Sequence, residues 1–214
     1  MTSSALPPET AIGVFAKAPV PGAVKTRLAA VMGADAAASL HAGLVRHALS
    51  TAVGAAIAPV TLWCLPDAEH SFFARCREEF GVRLDVQRGA DLGERMRNAF
   101  APAWAAGSAL ILIGADCPAL TSRHLRDAIA SLRAKDAVFV PAEDGGYALI
   151  GLARALPVAF EGIAWGTGGV MAQTRERLTR AGATWAELET LWDVDRPEDY
   201  ARLRREGLLA EVLS

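Results

Sequence analysis

The segment Ala109-Leu-Ile-Leu-Ile-Gly-Ala-Asp-Cys-Pro-Ala-Leu120 is an apolar run that ends abruptly in turn residues. A short run rich in Ile and Leu and closed by Gly114 and Pro118 is typical of a strand buried on both faces of a parallel sheet. In open α/β sheets, ligands bind just beyond the carboxyl ends of such strands. Asp116 is therefore predicted at the mouth of a site. There its carboxylate either holds a divalent cation or a ligand hydroxyl, or caps the backbone amides of its own turn.

Strands and helices alternate along the rest of the chain. Apolar or alternating runs predict further strands at 11–16, 60–65, 82–86, 137–141 and 184–188, with helices between them. The residues predicted to begin or cap these helices are Asp35, Asp67, Asp91, Thr167 and Asp195 with its partner Glu198. The alternation predicts a three-layer α/β/α domain with a mostly parallel central sheet. We assign residues 1–10 to a flexible leader and residues 11–214 to a single domain.

Composition and charge narrow the classes of protein to be considered. The 214 residues are 52% hydrophobic and 21% charged, which is enough for one substantial core and too little for two. The net charge of -2 provides no basic footprint, so no nucleic-acid partner is expected. The first ten residues lack the features of a secretory signal, and the apolar runs are too short to span a membrane. Three cysteines without Cys-x-x-Cys spacing suit a reduced, cytoplasmic protein.

Three cations surround the turn that follows the first predicted strand. Lys17, Lys25 and Arg27 lie in or beside a segment whose prolines and glycine prevent regular structure until a short helix begins near Val24. A helix N-terminus flanked by Lys and Arg is a ready anion site, so these three residues are candidates for binding phosphate. The alternative is that Lys25 and Arg27 are ordinary solvated charges of a surface helix. His41, on the apolar face of the next helix, is expected to be a hydrogen-bonded core residue without a chemical role.

Glycine-rich turns follow other predicted strands. The stretch Gln87-Arg-Gly-Ala-Asp-Leu-Gly-Glu-Arg-Met96 makes Gln87 and Gly93 candidates for the nucleotide site. Its glycines would let the backbone approach a flat ligand, although a plain strand-to-helix turn explains them as well. Asp91 and Glu94 are spaced as a capping box.

A second group of candidates surrounds a predicted hairpin. Asp144, Gly145 and Gly146, followed by Tyr147, are a strong hairpin signal, and they could also present backbone amides to a substrate. Trp165, which stands before glycines, is either a core anchor or a stacking platform. These five residues are the candidates for binding an acceptor.

Five motifs in a fixed order carry a resemblance to one family. They are Phe15-Ala-Lys-Ala-Pro-Val-Pro-Gly-Ala-Val-Lys-Thr-Arg-Leu28, Asp91-Leu-Gly-Glu-Arg-Met96, Ile113-Gly-Ala-Asp-Cys-Pro118, Asp144-Gly-Gly-Tyr-Ala-Leu-Ile-Gly-Leu152 and Asp193-Val-Asp-Arg-Pro-Glu-Asp199. Together they resemble the DUF2064 family of GT-A-like nucleotide-diphospho-sugar transferases, of the arsenosugar-biosynthesis or radical-SAM-associated glycosyltransferase type. The resemblance covers nearly the whole chain and implies a nucleotide-sugar donor and a divalent metal, for which Mg²⁺ or Mn²⁺ is the natural choice.

The resemblance also implies roles for individual residues. Lys25 and Arg27 would cradle the donor phosphates, and Asp116 would be the metal aspartate. In related nucleotide-sugar enzymes a second carboxylate near the C-terminus completes the metal site. Asp195 is the better match to it, and Asp193 is retained beside it. Two carboxylates brought together without a cation would repel each other, which also favours a metal.

Two departures from the family pattern leave the chemistry open. Many GT-A glycosyltransferases carry Asp-x-Asp after the central strand, whereas Asp116 is followed by Cys117 and Pro118, a pattern closer to 2-phospholactate guanylyltransferase and the molybdenum cofactor guanylyltransferase. Gly166 also stands where relatives commonly have Ser. We expect a metal-dependent transferase that uses a nucleotide-activated donor, most simply a glycosyltransferase acting on a small-molecule acceptor. The alternatives are a nucleotidyltransferase that uses a nucleoside triphosphate and releases pyrophosphate, and a non-catalytic nucleotide-binding module.

Overall fold

The computed structural model describes residues 9–213, so most of the predicted leader lies outside the described residues. The strands in the described part of the chain are β1 (Thr10–Lys17), β2 (Val60–Leu65), β3 (Arg83–Val86), β4 (Ala109–Gly114), β5 (Ala137–Pro141), β6 (Tyr147–Leu152) and β7 (Trp185–Glu187). The α-helices are α1 (Thr26–Met32), α2 (Ala34–Gly54), α3 (Ser71–Phe80), α4 (Leu92–Ala105), α5 (Ser122–Ser131), α6 (Val170–Arg180), α7 (Pro197–Arg205) and α8 (Leu209–Leu213). No helix among residues 9–213 is long and apolar enough to cross a membrane.

The seven strands form one sheet in the order β3-β2-β1-β4-β6-β5-β7. Only β6 runs against its neighbours, pairing antiparallel with β4 and β5, while the other pairings are parallel. The chain builds the sheet outward from β1 through β2 to β3 and then returns to add β4 on the other side of β1. The loops after β1 and β4 therefore leave in opposite directions, which makes the crevice between them the topological switch point of the sheet.

Helices cover both faces of the sheet. On one face α2, α3 and α5 bury residues such as Leu49, Phe73 and Leu125 against β1, β2 and β4. On the other face α4 and α6 bury Phe100 and Leu178. Of the remaining helices, α1 and α8 pack on α2 and α7 packs on α1, around a third cluster of buried residues. The prediction of a three-layer domain with a mostly parallel sheet is confirmed.

The central strand is buried along almost its whole length. Every residue from Ala109 to Ile113 is at most 5% exposed, and exposure returns at Gly114. Both faces of β4 meet covered layers, which is the environment that a continuous Leu and Ile run requires. The chain leaves the sheet directly before Asp116.

Two helices begin at other residues than the sequence predicts. α2 starts at Ala34 after Gly33, whose φ of 87° reverses the chain between α1 and α2, so Asp35 lies inside the first turn and is not the cap. α3 starts at Ser71, and the His70 ring accepts the Phe72 N–H at 3.2 Å. Asp67 does not begin this helix, because its carboxylate accepts the Glu69 N–H at 2.9 Å and closes a turn instead.

Two caps near the candidate site also differ. The α6 cap is Gly169, because the Thr167 hydroxyl donates to the Ala164 carbonyl at 2.8 Å and is held in the preceding loop. The α7 cap is Arg196, and Asp199 accepts its N–H at 2.7 Å, so neither Asp195 nor Glu198 has the predicted capping role.

Asp91 caps α4 as predicted, but Glu94 accepts a hydrogen bond from the residue before the cap and not from the cap itself. Asp91 accepts the Glu94 N–H at 2.8 Å, and Glu94 reaches back to the Ala90 N–H at 2.7 Å. Asp195, which has no cap to form, remains available for other contacts.

Candidate active site

An ion pair between a buried lysine and a half-exposed aspartate joins the loops that follow β1 and β4. The Lys25 Nζ lies 2.9 Å from Asp116 Oδ1, with the lysine side chain 4% exposed and the aspartate side chain 46% exposed. The interpretation of Lys25 as a solvated surface charge is therefore wrong. The pair lies at the switch point, where one carboxylate and one ammonium face the crevice together.

The backbone around Lys25 explains how a lysine becomes buried here. Lys25 has φ 47° and ψ 42°, a left-handed conformation that it shares with Ala56 alone among the described non-glycine residues. It is the residue directly before α1, which begins at Thr26 and not at Val24 as predicted. A bulky residue in this region costs free energy and persists where the surroundings fix it, which is common at functional sites.

His41 contacts the same ion pair from α2. Its Nε2 lies 3.1 Å from the Lys17 carbonyl oxygen, which can only accept, so Nε2 carries a proton and donates. Its Nδ1 lies 3.8 Å from Asp116 Oδ1 and has no hydrogen-bond partner among the described residues. Burial lowers the pKa of the ring, although Asp116 opposes that change. The expectation of a hydrogen-bonded core residue is confirmed, but sequence reasoning missed the contact with Asp116.

The charges around Asp116 favour its ionised form. Burial alone would raise the pKa of the carboxyl, but Lys25 and His41 outweigh it and hold the pKa below its usual value. Asp116 is therefore a carboxylate throughout the neutral pH range.

The C-terminal segment brings two further carboxylates to this loop. The Val194 N–H donates to the Asp116 carbonyl oxygen at 2.9 Å, which fixes Asp193 and Asp195 on either side of that contact. Burial and the neighbouring carboxylates of Asp144 and Asp116 raise the pKa of the Asp193 carboxyl to about 6. Asp195 instead forms an ion pair with Arg27.

Arg27, unlike Lys25, is exposed to solvent. Its side chain is 64% exposed, and its guanidinium is paired with Asp195. Unlike Lys17 and Lys25, it does not line the cavity beside the ion pair. Its predicted contact with phosphate would require that pair to open.

A first cavity, which we call the basic cavity, lies between the loops after β1, β3 and β4. Its volume is about 380 Å³, within the range of small-molecule sites. Its lining includes Lys17, Lys25, His41, Gln87, Arg95 and Asp116. The Gln87 amide nitrogen donates to the carbonyls of Ala16 and Trp63 at 3.2 and 2.9 Å, which leaves its oxygen as the available group. Arg95 was not among the candidates predicted from the sequence, because there it looks like any other charged residue of an exposed helix.

A second cavity, the aromatic cavity, adjoins the first at Asp116. It measures about 250 Å³, and its lining includes Asp144, Gly146, Tyr147, Trp165 and Asp193. The Tyr147 and Trp165 rings meet edge to face with centroids 6.4 Å apart. All of these residues except Asp193 were candidates for binding an acceptor.

Two glycines that were predicted to lie in a binding site have structural roles beside the aromatic cavity. A Cβ on Gly93 would lie 2.3 Å from the Trp165 indole nitrogen, so this glycine gives the ring its space. Gly145 has φ 89°, and a Cβ on it would lie 2.0 Å from the Gly168 carbonyl oxygen. Neither glycine lines the basic or the aromatic cavity.

A third cavity, the acidic cavity, continues from the aromatic one and shares Asp144 and Asp193 with it. It measures about 360 Å³. Its charged lining residues are Arg27, Glu143, Asp144, Asp193, Asp195, Arg196, Glu198 and Asp199. The three cavities thus adjoin one another at the carboxyl edge of the sheet, and the acidic cavity also shares Asp195 with the basic one.

The carboxylates at the junction of the cavities could supply some, but not all, of the ligands of a divalent cation. Asp116 and Asp193 face each other closely enough for Asp116 to raise the pKa of Asp193, a repulsion that a cation would relieve. Among residues 9–213, however, no three His, Cys, Asp or Glu side chains are gathered to hold a metal on their own. These residues therefore fit a hard cation that takes its remaining oxygen ligands from a phosphate.

The raised pKa of Asp193 predicts a specific dependence of stability on pH in the metal-free protein. The folded-state pKa is about 6 and the ordinary value 3.8, so this carboxyl lowers stability progressively as pH rises between about 4 and 6. Asp193→Asn should remove this slope and gain about 1 kcal/mol above pH 7, a value discounted because Asp193 is partly exposed. Urea unfolding of both proteins in EDTA measures the difference, and identical pH profiles would contradict the raised pKa.

Comparison with known proteins gives the family. The family described as "Uncharacterized protein conserved in bacteria (DUF2064)" matches residues 48–167, which is more than half of the chain. The chain belongs to the DUF2064 family. No curated protein matches it. The family match includes Asp116 and the aromatic pair Tyr147 and Trp165, while Lys25 and Asp193 lie outside it.

A solved structure supports the assignment over nearly the full length. The DUF2064 chain is 31% identical to a candidate nucleotide-diphospho-sugar transferase from Desulfovibrio desulfuricans G20, with a TM-score of 0.81 over 96% of this chain and 98% of that one.

More distant structures share the fold alone. A nucleotidyl transferase from Methanothermobacter thermautotroptrophicus is 12% identical, with a TM-score of 0.62 over 94% of this chain and 98% of that chain. A CMP:2-keto-3-deoxy-manno-octonic acid synthetase complexed with CTP is 13% identical, with a TM-score of 0.59 over 93% and 98%.

Proposed function

We propose that this DUF2064 protein is a transferase that moves a glycosyl group from a nucleotide-activated donor to a small-molecule acceptor. The observation that carries the proposal is the Lys25–Asp116 ion pair, at the junction of a cavity lined by cations and a cavity lined by aromatic rings and carboxylates. Such a junction suits a reaction in which an anionic leaving group departs on one side and a nucleophile approaches on the other. The similarity to a nucleotide-diphospho-sugar transferase supports the same class of donor.

We assign the donor to the basic cavity. Its Lys17, Lys25 and Arg95 supply positive charge for a diphosphate, and Arg95 is tethered at its Nε to the Gly89 carbonyl oxygen at 3.1 Å. The free oxygen of Gln87 can accept a hydrogen bond from the nucleotide. Arg27 serves the site indirectly, since its ion pair orients Asp195.

We assign Asp116 and Asp193 to hold Mg²⁺ or Mn²⁺ together with the donor phosphates. When bound, the cation would offset the negative charge that develops on the departing diphosphate. Asp193 is preferred over Asp195 because the charge of Asp195 is already offset by Arg27. With the metal in place, Lys25 would be free to contact phosphate oxygens.

Glycosyl transfer also needs a group that takes the acceptor proton and a group that stabilises the leaving diphosphate, and side chains of the protein can fill both roles. The acceptor oxygen forms a bond to the anomeric carbon, while the bond from that carbon to the diphosphate breaks and its electron pair leaves with the nucleoside diphosphate. The acceptor proton passes to a carboxylate, for which we propose Asp144, since it has no ion-pair partner among the described residues and lines the aromatic cavity. Lys25 stabilises the leaving group in place.

Nucleotidyl transfer is the second candidate because Asp116 is followed by Cys117 and Pro118 instead of a second aspartate. In that reaction the α-phosphorus is attacked and pyrophosphate leaves. Incubation with a panel of nucleotide sugars and, separately, of nucleoside triphosphates distinguishes the reactions. Release of nucleoside diphosphate supports glycosyl transfer, release of pyrophosphate supports nucleotidyl transfer, and binding of both without turnover would identify a non-catalytic module.

Two neighbouring glycines give a matched test of the acceptor loop. Gly146→Val should lower kcat/KM at least ~10-fold with nucleotide affinity unchanged, because Gly146 lines the aromatic cavity and a Cβ added to it would meet only the Asp144 side chain. Gly145→Ala should instead destabilise the fold by about 2 kcal/mol or more through its left-handed backbone and the clash with Gly168. Steady-state kinetics and urea unfolding of both variants measure these effects. A Gly146→Val protein that loses stability and nucleotide binding together would show that the loop is only a hairpin.

A further inference from the structure

The cavities on the two sides of Asp116 differ in the sign of their charge. Among the described residues that line the aromatic cavity there are three aspartates and neither a lysine nor an arginine. The basic cavity, by contrast, is lined by three cations, Lys17, Lys25 and Arg95, and by two carboxylates, Asp116 and Asp195. Leu92, Gly114 and Asp116 line both cavities. An excess of cations over carboxylates, which favours anions, is therefore found on the donor side only.

The acidic cavity extends this charge preference outward from the aromatic cavity. The two cations in its lining are already paired with carboxylates, Arg27 with Asp195 and, at 3.9 Å, Arg196 with Glu198. Asp144 and Asp193 have no ion-pair partner in the described part of the chain. A molecule that reaches the aromatic cavity through the acidic one therefore meets negative charge throughout.

A bound divalent cation would not reverse this preference. It would offset two of the three negative charges carried by Asp116, Asp144 and Asp193, while the donor diphosphate would bring further negative charge to the junction. An acceptor with a phosphate or carboxylate group would then be repelled from both sides in a partly desolvated space, where charge interactions are stronger than in water.

The aromatic wall adds a preference for shape. Trp165 is fixed by its contact with Gly93 and by the edge-to-face contact with Tyr147. The face of an indole ring is electron-rich, so it packs well against C–H groups or a cation. Gly146 also lines the cavity and adds no side chain to it, and a Cβ at this position would lie 3.1 Å from Asp144 Oδ1. A ring with one less polar face and hydroxyl groups at its rim would satisfy both the wall and the carboxylates.

We infer that the acceptor is a small hydroxyl-bearing molecule, uncharged or cationic, which carries no phosphate or carboxylate group and packs its less polar face on Trp165. This inference rests on the proposed function, because it assigns the aromatic cavity to the acceptor. It extends that proposal by naming the chemical class of the acceptor, and it excludes the phosphorylated acceptors that the basic cavity would favour.

Three matched sugars test the charge preference directly. Glucose, glucosamine and glucose 6-phosphate are titrated into the full-length ¹⁵N-labelled protein, and the Trp165 indole signal, assigned with Trp165→Phe, reports binding among the five tryptophans. Glucose and glucosamine should bind at least ~10-fold more tightly than glucose 6-phosphate. Asp144→Asn should narrow this difference, because it removes a charge while its side-chain oxygen can still accept the Gly146 N–H. Asp127→Asn, the same change on the exposed surface of α5, should leave the preference as it is.

Two outcomes would overturn the inference. One is binding of glucose 6-phosphate as tight as that of glucose or tighter, and the other is a Trp165 signal that none of the three sugars shifts. Titration of nucleoside diphosphates into the same samples separates this result from the proposed function. Nucleotides that fail to bind while the sugar preference holds would refute the donor assignment, whereas nucleotide binding with a reversed sugar preference would refute the acceptor class alone.

Discussion

Asp116→Asn is expected to reduce turnover at least ~100-fold with the preferred donor. The substitution keeps the size of the side chain and removes the negative charge that pairs with Lys25 and that we propose binds the metal. Steady-state kinetics across a range of Mg²⁺ and Mn²⁺ concentrations measure the loss, which excess metal should not restore. Turnover within a few-fold of wild type would show that Asp116 only closes its own turn.

The same substitution should have a small effect on stability. Lys25 loses a counterion, but an asparagine oxygen can still accept its hydrogen bond, and Asp116 is 46% exposed, so solvent screens the lost charge. We expect a destabilisation of about 1 kcal/mol, discounted for that exposure. Urea unfolding provides the control that separates a catalytic loss from an unfolded protein.

Lys25→Met is expected to weaken binding of a nucleoside diphosphate by ~10- to 100-fold. A charge-assisted hydrogen bond to phosphate contributes about 1.5–3 kcal/mol, and methionine retains the buried aliphatic length without the charge. Calorimetric titration in the presence of Mg²⁺ measures the affinity. Lys135→Ala is a suitable control, because this lysine is exposed and precedes β5, at the edge of the sheet opposite the site.

The Lys25 variant should also change the acidity of Asp116. Without the ammonium, the main group that holds the pKa of Asp116 low is lost, and burial raises that pKa. Activity that remains in Lys25→Met should therefore decline at a higher pH on the acid side than activity of the wild type. If Lys25→Met binds nucleotide as tightly as the wild type and its activity falls at the same acidic pH, Lys25 has only a structural role.

The parts of the fold that the sequence predicts are those that depend on local pattern. The Leu and Ile run of 109–113 predicts a strand buried on both faces, and the position of Asp116 beyond it follows from a general property of parallel sheets. The Asp91 cap also follows from local spacing. The sequence does not correctly predict how a helix is capped where neighbouring carboxylates could each accept its first N–H groups, as Asp195 and Asp199 could. Which carboxylate does so depends on the path of the chain that enters the helix.

The contacts within the site depend on distant segments and could not be read from a single stretch. The burial of Lys25 requires a left-handed residue that is not glycine, for which the local sequence gives no signal. His41 lies on an apolar helix face, and only the loop after β4 brings Asp116 to it. Likewise, the pairing of Arg27 with Asp195 joins residues at opposite ends of the chain.

In the function that we propose, Asp116 helps to bind a nucleotide-activated donor through a divalent cation. The most direct measurement is calorimetric titration of UDP, GDP, CDP and ADP into the wild-type protein and Asp116→Asn, each with Mg²⁺ and with EDTA. We expect at least one nucleotide to bind the wild type more tightly with Mg²⁺ and Asp116→Asn to lose this enhancement. Absence of binding by all four nucleotides, or an Mg²⁺ enhancement that persists in Asp116→Asn, would contradict this expectation.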